Sequence, residues 1–511
     1  LMVAMLASKV KSHRNLGAVL AGVGISLFVF VLYFMTLAPT ILSFPEELDS
    51  PVLPTAAYVL GIPQATGYPT YMMLTHLFTY LPMGDVAYRV NFASAVFAVL
   101  AVFTVFLVGF RLSGSIVASA ASALAFGISG LFWSQAVIAE VHTLNALFIA
   151  LTILVLLIWR ERREDKYLLM AAFLMGLSMT HHLTSGLLLP AGFLFVLLVE
   201  ARKLVEWRLA LKGIGLFLLG LLPYVYLPVR ARMDAPFNVG NPSNWDRFWH
   251  LVSGAQFKAN MFVFGPEELP GRLYLYLNYL FGQFHWLLLM MGIVGGIYLL
   301  AKDKAAFAFL GFLYLAWLLF SLEYAIDDIQ MYFIPTYLIL TIFAVVGFAA
   351  ILREVKEPLD SWSSRKAGGL VLATLSLLTL TIPLWGLGET YRTVDQSGDY
   401  EGRRIIDVVA QNAEQGATVM QLRSSLYYAV LVEDRRKDLK LLSYYEPQSN
   451  EEPQSEEEKR TRMNAAIQDG SLYLLFPSLT AASAEYSSQL EKYGYQLVPI
   501  EDGVLYRVDL G

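Results

Sequence analysis

The sequence predicts an all-α polytopic membrane protein of about eleven transmembrane helices, followed by a small soluble α/β domain. Hydrophobic residues make up 56% of the chain and charged residues only 15%, whereas soluble domains carry about 25% charged residues. Several apolar runs reach the roughly 20 residues that a bilayer crossing requires. The composition turns polar after residue 387. We therefore place the membrane domain at 1–387 and the soluble domain at 388–511.

The overall charge and the lack of cysteine exclude several function classes. A net charge of −5 is small and argues against nucleic acid as a partner. The chain has no cysteine, which excludes disulfides, thiolate metal sites and cysteine nucleophiles. Lys9, Lys11 and Arg14 precede the first apolar run, and no small-residue cleavage site follows it. We therefore expect a retained first helix rather than a signal peptide.

Hydropathy places the membrane spans along the chain. The run at 68–82 is short and contains Pro69 and Pro82, so we expect a re-entrant or interfacial helix there rather than a crossing. The predicted spans are 16–36, 90–110, 115–136, 144–159, 167–180, 184–200, 209–228, 285–301, 305–322, 330–350 and 369–387.

The distribution of positive charge predicts the orientation. One set of alternate loops carries 18 Lys and Arg residues. In the other set, the short loops carry none and 37–89 carries only Arg89. Because Lys and Arg accumulate in cytoplasmic loops, the N-terminus is predicted to be cytoplasmic. The loops 37–89 and 229–284 and the C-terminal domain then lie on the outer side of the cell membrane.

The segments outside the spans also carry structural signals. The outer loop 229–284 contains the amphipathic stretch WDRFWHLVSGAQF, which predicts short helices along the interface. In the C-terminal domain, ATVMQL, LKLLSYY, SLYLLF and GVLYRV alternate as strands do. The acidic patch at 446–460 indicates a solvated loop or helix start rather than a site.

The first outer loop contains the strongest catalytic candidate. Asp49 follows Glu46 and Glu47, and a Gly/Pro-rich turn with Gln64 and Tyr68 comes after them. A carboxylate at a membrane face can accept a proton from a hydroxyl nucleophile or hold a metal. The two glutamates are equally consistent with a solvated face, and Tyr68 with either packing or a pocket wall.

Most other ionisable candidates fall on the same predicted face, which suggests a shared cavity; the alternative is that outer loops simply tolerate charge. Glu140 and His142 either line a site or cap a helix at the interface. His181 and His182 are adjacent, which favours hydrogen bonding over chelation of one metal ion.

Two further pairs have competing interpretations. Arg230 and Arg232 go against the charge rule, so they either bind phosphate or extend to lipid headgroups. Asp327 and Asp328 either position a sugar or a cation, or cap the helix that begins near Gln330.

In these same segments the chain resembles the GT-C-type membrane glycosyltransferases of glycosyltransferase family 117, which include a eukaryotic protein O-mannosyltransferase. The likeness is best over 30–260 and weaker to about 350. The matching stretches are LAPT, AAYVLGIP, TGYPTY, YRVNFASA, FWSQAVIAEVHTLNALF, GLSMTHHLTSGLLLPA, YLPVRA and DDIQMYFIPTY.

The resemblance implies a GT-C-like fold with an outward-facing site and a donor sugar on a polyprenyl phosphate. The family's first outer loop carries Asp-Ser-Gly-Glu, and a His-Pro-Pro-Gly-Tyr-Pro turn follows. Asp49 and Tyr68 match this pattern, but Val52 replaces the Glu and Gln64 replaces the His. Glu46 or Glu47 would have to substitute for the missing acid.

Our hypothesis is a glycosyltransferase that moves a sugar from a polyprenyl-phosphate donor to a hydroxyl of a protein or glycan acceptor. Asp49 would be the base, and Arg230 or Arg232, helped by the histidines, would hold the lipid phosphate. The C-terminal domain would bind or gate the acceptor. A divalent cation is the one cofactor that the carboxylates suggest.

The replacement of the family's Glu by Val52 and of its His by Gln64 favours an alternative. In this alternative the chain is a catalytically degenerate subunit of a larger membrane complex. A transporter would require charges within the spans or internal two-fold repeats, and the sequence shows neither.

Overall fold

A computed structural model describes residues 13–42, 49–360, 365–421, 425–443, 456–475, 488, 490–501 and 503–510. Glu46, Glu47, the basic flank up to Lys11 and most of the acidic patch lie outside these residues. The described part is mainly helical, with one small sheet near its C-terminal end.

The helices of the membrane part are numbered here in chain order. They are α1 (His13–Met35), α2 (Asp49–Val59), α3 (Pro69–Phe78), α4 (Val86–Ser113), α5 (Ile116–Gly127), α6 (Gly130–Ala136), α7 (His142–Arg162), α8 (Asp165–Met179), α9 (Leu188–Glu200), α10 (Arg202–Val205), α11 (Trp207–Gly220), α12 (Tyr226–Arg232), α13 (Trp245–Val252), α14 (Leu269–Gln283), α15 (Trp286–Lys302), α16 (Lys304–Leu322), α17 (Ile334–Asp360), α18 (Arg365–Thr381) and α19 (Leu387–Val394).

Within the described residues, eight helices are long and apolar enough to cross a membrane. Two bent pairs bring the number to ten if each is one span: α5 with α6, bent by 66°, and α14 with α15, bent by 111°. The eleventh predicted span, 167–180, is the 15-residue helix α8. At 1.5 Å per residue it reaches about 22 Å, which is short of the roughly 30 Å hydrocarbon core.

The spans form a buried centre with a lipid-facing rim. Helices α4, α7 and α17 are almost wholly buried, whereas α11 and α18 are almost wholly exposed. Exposed apolar helices are expected here, because lipid tails are as apolar as the side chains that face them. The structure confirms the predicted polytopic all-α fold.

Glycines allow two pairs of these helices to touch backbone to backbone. A Cβ atom on Gly295 of α15 would lie 1.8 Å from the carbonyl oxygen of Phe343 in α17. A Cβ atom on Gly176 of α8 would lie 2.2 Å from the carbonyl oxygen of Phe217 in α11. Small residues at such crossings are the usual means of packing helices in a bilayer.

The short segments also agree with the sequence. Helix α3 has 10 residues, too few to cross a bilayer. In the long loop, α13 buries Leu251 and Val252 and exposes the rings of Trp245 and Trp249, which stack 6.2 Å apart. This two-sided character is typical of a helix at a membrane surface.

The C-terminal part confirms the predicted α/β architecture. The elements are α20 (Glu401–Asn412), β1 (Thr418–Gln421), α21 (Ser425–Leu431), β2 (Lys440–Ser443), α22 (Glu456–Asp469), β3 (Leu472–Leu475), β4 (Tyr495–Glu501) and β5 (Leu505–Leu510). The sheet has the order β2-β1-β3-β5-β4, in which β1 pairs in parallel with β2 and β3, and β5 pairs antiparallel with β3 and β4.

Candidate active site

The turn that follows α2 is built by close backbone contacts. The amide of Ile62 donates to the carbonyl oxygen of Phe237 at 2.7 Å. A Cβ atom on Gly61 would lie 2.6 Å from that same oxygen, so only glycine fits there. At the end of the turn Gly67 has φ +84° and Tyr68 has φ +40°. This left-handed conformation is uncommon for a tyrosine, and Tyr68 then begins helix α3 as its N-cap residue.

Three carboxylates from separate segments converge on Tyr68. Burial is the main cause of a strongly raised pKa for the Tyr68 hydroxyl, and the negative charges of Asp49, Glu140 and Asp328 raise this pKa further. Glu140 and Asp49 also raise the pKa of Tyr71. These long-range effects place acids that are far apart in the sequence around one tyrosine pair. The structure therefore brings together the carboxylates that the sequence had placed on one face.

The histidines pack beside this cluster. The ring of His142 lies 5.7 Å from that of His182 and 5.9 Å from that of Tyr332. The ring of His181 stacks on Tyr71 at 5.9 Å, and its Nε2 donates to the carbonyl oxygen of Val141 at 2.8 Å.

The two adjacent histidines are neutral at physiological pH. Burial lowers the pKa of His181 to about 3 and that of His182 to about 4. They offer hydrogen bonds and aromatic surface, not the positive charge that a phosphate requires. Among the described residues, no three His, Asp or Glu side chains are arranged to hold a metal ion.

Tyr68 opens onto a cavity of about 250 Å³, which we call the Tyr68 cavity. One part of its wall is polar, with Tyr68, His182, Thr184, Tyr324 and Tyr332. The remainder is small or apolar: Ala65, Thr66, Leu183, Gly186, Leu187, Gly254, Phe257, Met261 and Phe320. A mainly apolar pocket with a few polar groups in its wall suits an amphipathic ligand.

The same region matches known proteins. Residues 49–205 match the model of the N-terminal domain of the protein O-mannosyl-transferase TMEM260. The mouse protein O-mannosyl-transferase TMEM260 is 37% identical over 205 residues, which cover 38% of this chain and 29% of the mouse protein. The Dictyostelium discoideum protein is 21% identical over 294 residues, 53% of this chain and 35% of that relative. The chain thus spans about a third of the length of these relatives.

Solved structures extend the likeness to the whole chain. ArnT from Cupriavidus metallidurans, bound to undecaprenyl phosphate, matches with a TM-score of 0.63 and 13% identity, over 96% of this chain and 98% of that one. Its apo form matches with a TM-score of 0.62 and 14% identity, over 96% and 97%. The chain has the GT-C glycosyltransferase fold.

Within this GT-C fold, the arginine pair does not join the cavity. Arg230 donates through Nε to the carbonyl oxygen of Leu60 at 2.6 Å and through Nη2 to that of Val59 at 2.9 Å. Arg232 donates to the carbonyl oxygen of Ser243 at 3.1 Å. The carbonyls at the end of a helix lack intrahelical partners and attract cations. Arg230 therefore caps α2, neither arginine is in the wall of the Tyr68 cavity, and a phosphate role for the pair stays a prediction.

This arrangement predicts a stability effect for Arg230→Gln. Two charge-assisted hydrogen bonds are lost, so we expect the free energy of unfolding to fall by about 2–3 kcal/mol. Arg232→Gln is the matched control, because it loses one longer bond at an exposed site. Thermal unfolding of the purified variants measures both, and equal effects would contradict the capping role.

Four further residues from the sequence analysis remain to be placed in the structure. Val52 is buried in the main apolar core, so its position contributes no polar group to the cavity. Gln64 is half-buried, and its Nε2 has no hydrogen-bond partner among the described residues. Asp327 is exposed and is not among the carboxylates that raise the pKa of Tyr68. Asp328 makes no side-chain capping bond, so the helix-cap interpretation of that residue does not hold.

Two contributors were missed from the sequence. Tyr332 borders both the histidines and the cavity. Arg272 donates through Nη2 to the carbonyl oxygen of Tyr324 at 2.9 Å and through Nε to that of Leu322 at 3.0 Å, while its guanidinium lies 4.4 Å from the centre of the Phe264 ring. A single arginine at the start of the otherwise uncharged stretch LPGRLYLYLNYLFGQ was the available signal.

Proposed function

We propose that this protein is a membrane glycosyltransferase that moves a sugar from a polyprenyl-phosphate donor to a hydroxyl of a protein or glycan acceptor. The observation that carries the proposal is the Tyr68 cavity, together with the effect of three carboxylates, Asp49, Glu140 and Asp328, on its wall residue Tyr68. The apolar wall suits a prenyl chain, and the carboxylates suit sugar hydroxyls and an acceptor proton. The site faces the outer side of the cell membrane in this proposal, as the charge distribution predicts.

Asp49 acts as the base. The acceptor oxygen attacks the anomeric carbon as its proton passes to the Asp49 carboxylate, and the bond between that carbon and the phosphate oxygen breaks. The electron pair leaves with the lipid phosphate. A phosphate is a good leaving group once its charge is neutralised, so no general acid is needed. Glu140 and Asp328 position sugar or acceptor hydroxyls, and the neutral histidines donate hydrogen bonds.

The phosphate requires a cation, and two cationic residues adjoin wall residues of the cavity. Arg272 binds the carbonyl of the wall residue Tyr324, and Lys258 follows the wall residue Phe257. Because Arg272, like Arg230, already donates to backbone carbonyls, we assign the phosphate to the part of the cavity wall at Phe257, beside Lys258.

Filling the cavity tests the proposal. A Cβ atom on Gly186 meets only the Met179 methyl, at 3.9 Å, so Gly186→Phe directs a ring into the cavity without a backbone clash. We expect binding of polyprenyl-phosphate mannose by the purified protein to weaken about tenfold or more. Radiolabelled transfer to a peptide or glycan acceptor is expected to fall with it.

The control is Gly213→Phe. No atom lies within 4 Å of a Cβ at Gly213, which is on the peripheral helix α11. Donor binding that persists in Gly186→Phe, or falls equally in both variants, would contradict the assignment of the cavity to the donor.

A further inference from the structure

The C-terminal domain packs directly on the helix that carries Asp49. Helix α21 lies against α2 and buries Tyr428 and Ala429 among other residues. The ring of Tyr427 meets that of Phe237 edge-on at 5.4 Å. Phe237 in turn accepts the hydrogen bond from Ile62 in the turn that follows α2. One short helix of the C-terminal domain thus contacts both α2 and the support of the turn that leads to Tyr68.

The same domain also holds the start of α4. The buried hydroxyl oxygen of Tyr428 accepts a hydrogen bond from the amide of Ala87 at 3.1 Å. Ala87 is in the first turn of α4, where amides have no partner within the helix. Tyr428 shares an apolar cluster with Ile41, Val86 and Ile406, so the segment that precedes Asp49 contributes to the same core.

Arg403 joins the two parts through charge. It donates to Asp85 at 3.0 Å and pairs with Glu433 at 2.5 Å. Asp85 also accepts from the hydroxyl of Thr40 at 2.5 Å and from the amide of Tyr88 at 2.8 Å. All three charged side chains are largely shielded from solvent, so the network is worth more than a surface ion pair.

The contact is also close at the backbone. A Cβ atom on Gly402 would lie 2.4 Å from the carbonyl oxygen of Ile41. The chain at Thr40 and Ile41 therefore has no room to move towards α20. Together, these contacts hold the described residues before Asp49 and the helix that begins with it.

We propose that the C-terminal domain positions the Asp49 carboxylate, with Arg403 and Tyr428 as the positioning residues. The domain contacts Ile41 before Asp49 and helix α2 after it, and so fixes α2 relative to Tyr68 and Glu140. Neither positioning residue lines the Tyr68 cavity. The kinetic part of this inference rests on the proposed function, whereas the structural part does not.

Hydrogen exchange of the full-length protein in nanodiscs tests the structural part. We expect Arg403→Gln to speed amide exchange in residues 49–59 about tenfold or more, since loss of the ion pair with Asp85 loosens the C-terminal domain, whose helix α21 packs on α2. Arg404→Gln is the matched control: Arg404 also makes two ion pairs, but with Glu401 and Glu501 inside the C-terminal domain. Unchanged exchange in Arg403→Gln, or an equal increase in both variants, would overturn the inference.

A gentler variant covers the case in which Arg403→Gln fails to fold. Tyr428→Phe keeps the ring in its apolar cluster and removes only the oxygen that accepts from Ala87. The same faster exchange is expected over 49–59, and exchange at the wild-type rate would overturn the inference.

Kinetics then separate positioning from acceptor binding. We expect Arg403→Gln to lower kcat by about ten- to hundredfold with the KM for acceptor unchanged, since a small misplacement of a catalytic group has that effect. Arg403→Lys is expected to restore part of the rate. In an Asp49→Asn background, Arg403→Gln is expected to add no further loss, because both changes act through one group.

A raised KM for the acceptor at unchanged kcat would overturn the inference and make the domain an acceptor-binding module. If the wild-type protein transfers no sugar at all, the proposed function fails instead. The hydrogen-exchange comparison still decides whether the domain holds α2.

Discussion

Replacing Asp49 with asparagine is expected to reduce sugar transfer by about 10²- to 10⁴-fold, the range that a positioned general base contributes. The amide keeps the size of the side chain but cannot take the acceptor proton. Because Asp49 lies at the first turn of α2 and is half-buried, we expect little change in folding. Binding of the donor is also expected to persist, since the phosphate is held by other residues. Single-turnover transfer with the purified protein measures the chemical step.

The control for this prediction is Asp327→Asn. Asp327 is another carboxylate of the same predicted face, but it is exposed and is not among the carboxylates that raise the pKa of Tyr68. Its replacement is expected to leave transfer within about twofold of the wild-type rate. Transfer that survives Asp49→Asn would remove Asp49 from the mechanism. If transfer also survives replacement of Glu140 and of Asp328, the alternative of a non-catalytic subunit is favoured.

Replacing Gly295 with alanine is expected to lower the free energy of unfolding by about 3 kcal/mol, at the upper end of overpacking costs. The new Cβ atom would lie 1.8 Å from the carbonyl oxygen of Phe343. The obstacle is backbone, so no side chain can rotate away and the two helices must separate. Opposite Gly295, a Cβ atom on Gly347 would lie 2.0 Å from the carbonyl oxygen of Met291. Thermal unfolding followed by size-exclusion chromatography measures the loss.

The neighbouring Gly296 gives a matched control, for which no loss in the free energy of unfolding is expected. A Cβ atom on Gly296 meets only ring atoms of Phe307 and Phe343, at 3.9 Å. Alanine favours a helix over glycine by up to about 1 kcal/mol, so Gly296→Ala is expected to be neutral or slightly stabilising. Equal destabilisation by the two substitutions would contradict the backbone contact.

Most of the membrane fold could be predicted from hydropathy, because lipid requires apolar side chains and helical backbone. The errors arose where a helix is short or bent. The apolar run at 167–180 did not reveal that α8 ends after 15 residues at the turn before His181. Residues 269–283 fall in the predicted outer loop 229–284, for which the amphipathic sequence predicts short helices along the interface. In the structure they form a helix that bends by 111° into the next span.

For the candidate site, the distribution of charge was sufficient to predict on which side of the membrane its residues lie. Charge counting put Asp49, Glu140 and Asp328 on one face, and the structure brings their effects together at Tyr68. The role of Arg230 was not readable, because its bond to Leu60 joins residues 170 positions apart. The charge state of His181 was equally hidden, since burial rather than sequence lowers its pKa.

The bond between Tyr428 and Ala87 has a consequence for biosynthesis. It joins residues 341 positions apart, so the chain must be made as far as Tyr428 before the start of α4 gains this partner. Contacts of such long range form late. If α21 is needed to hold Asp49, a stalled or truncated polypeptide would insert its helices into the membrane but would not transfer the lipid-linked sugar. Activity would then begin only when translation of the C-terminal domain is complete.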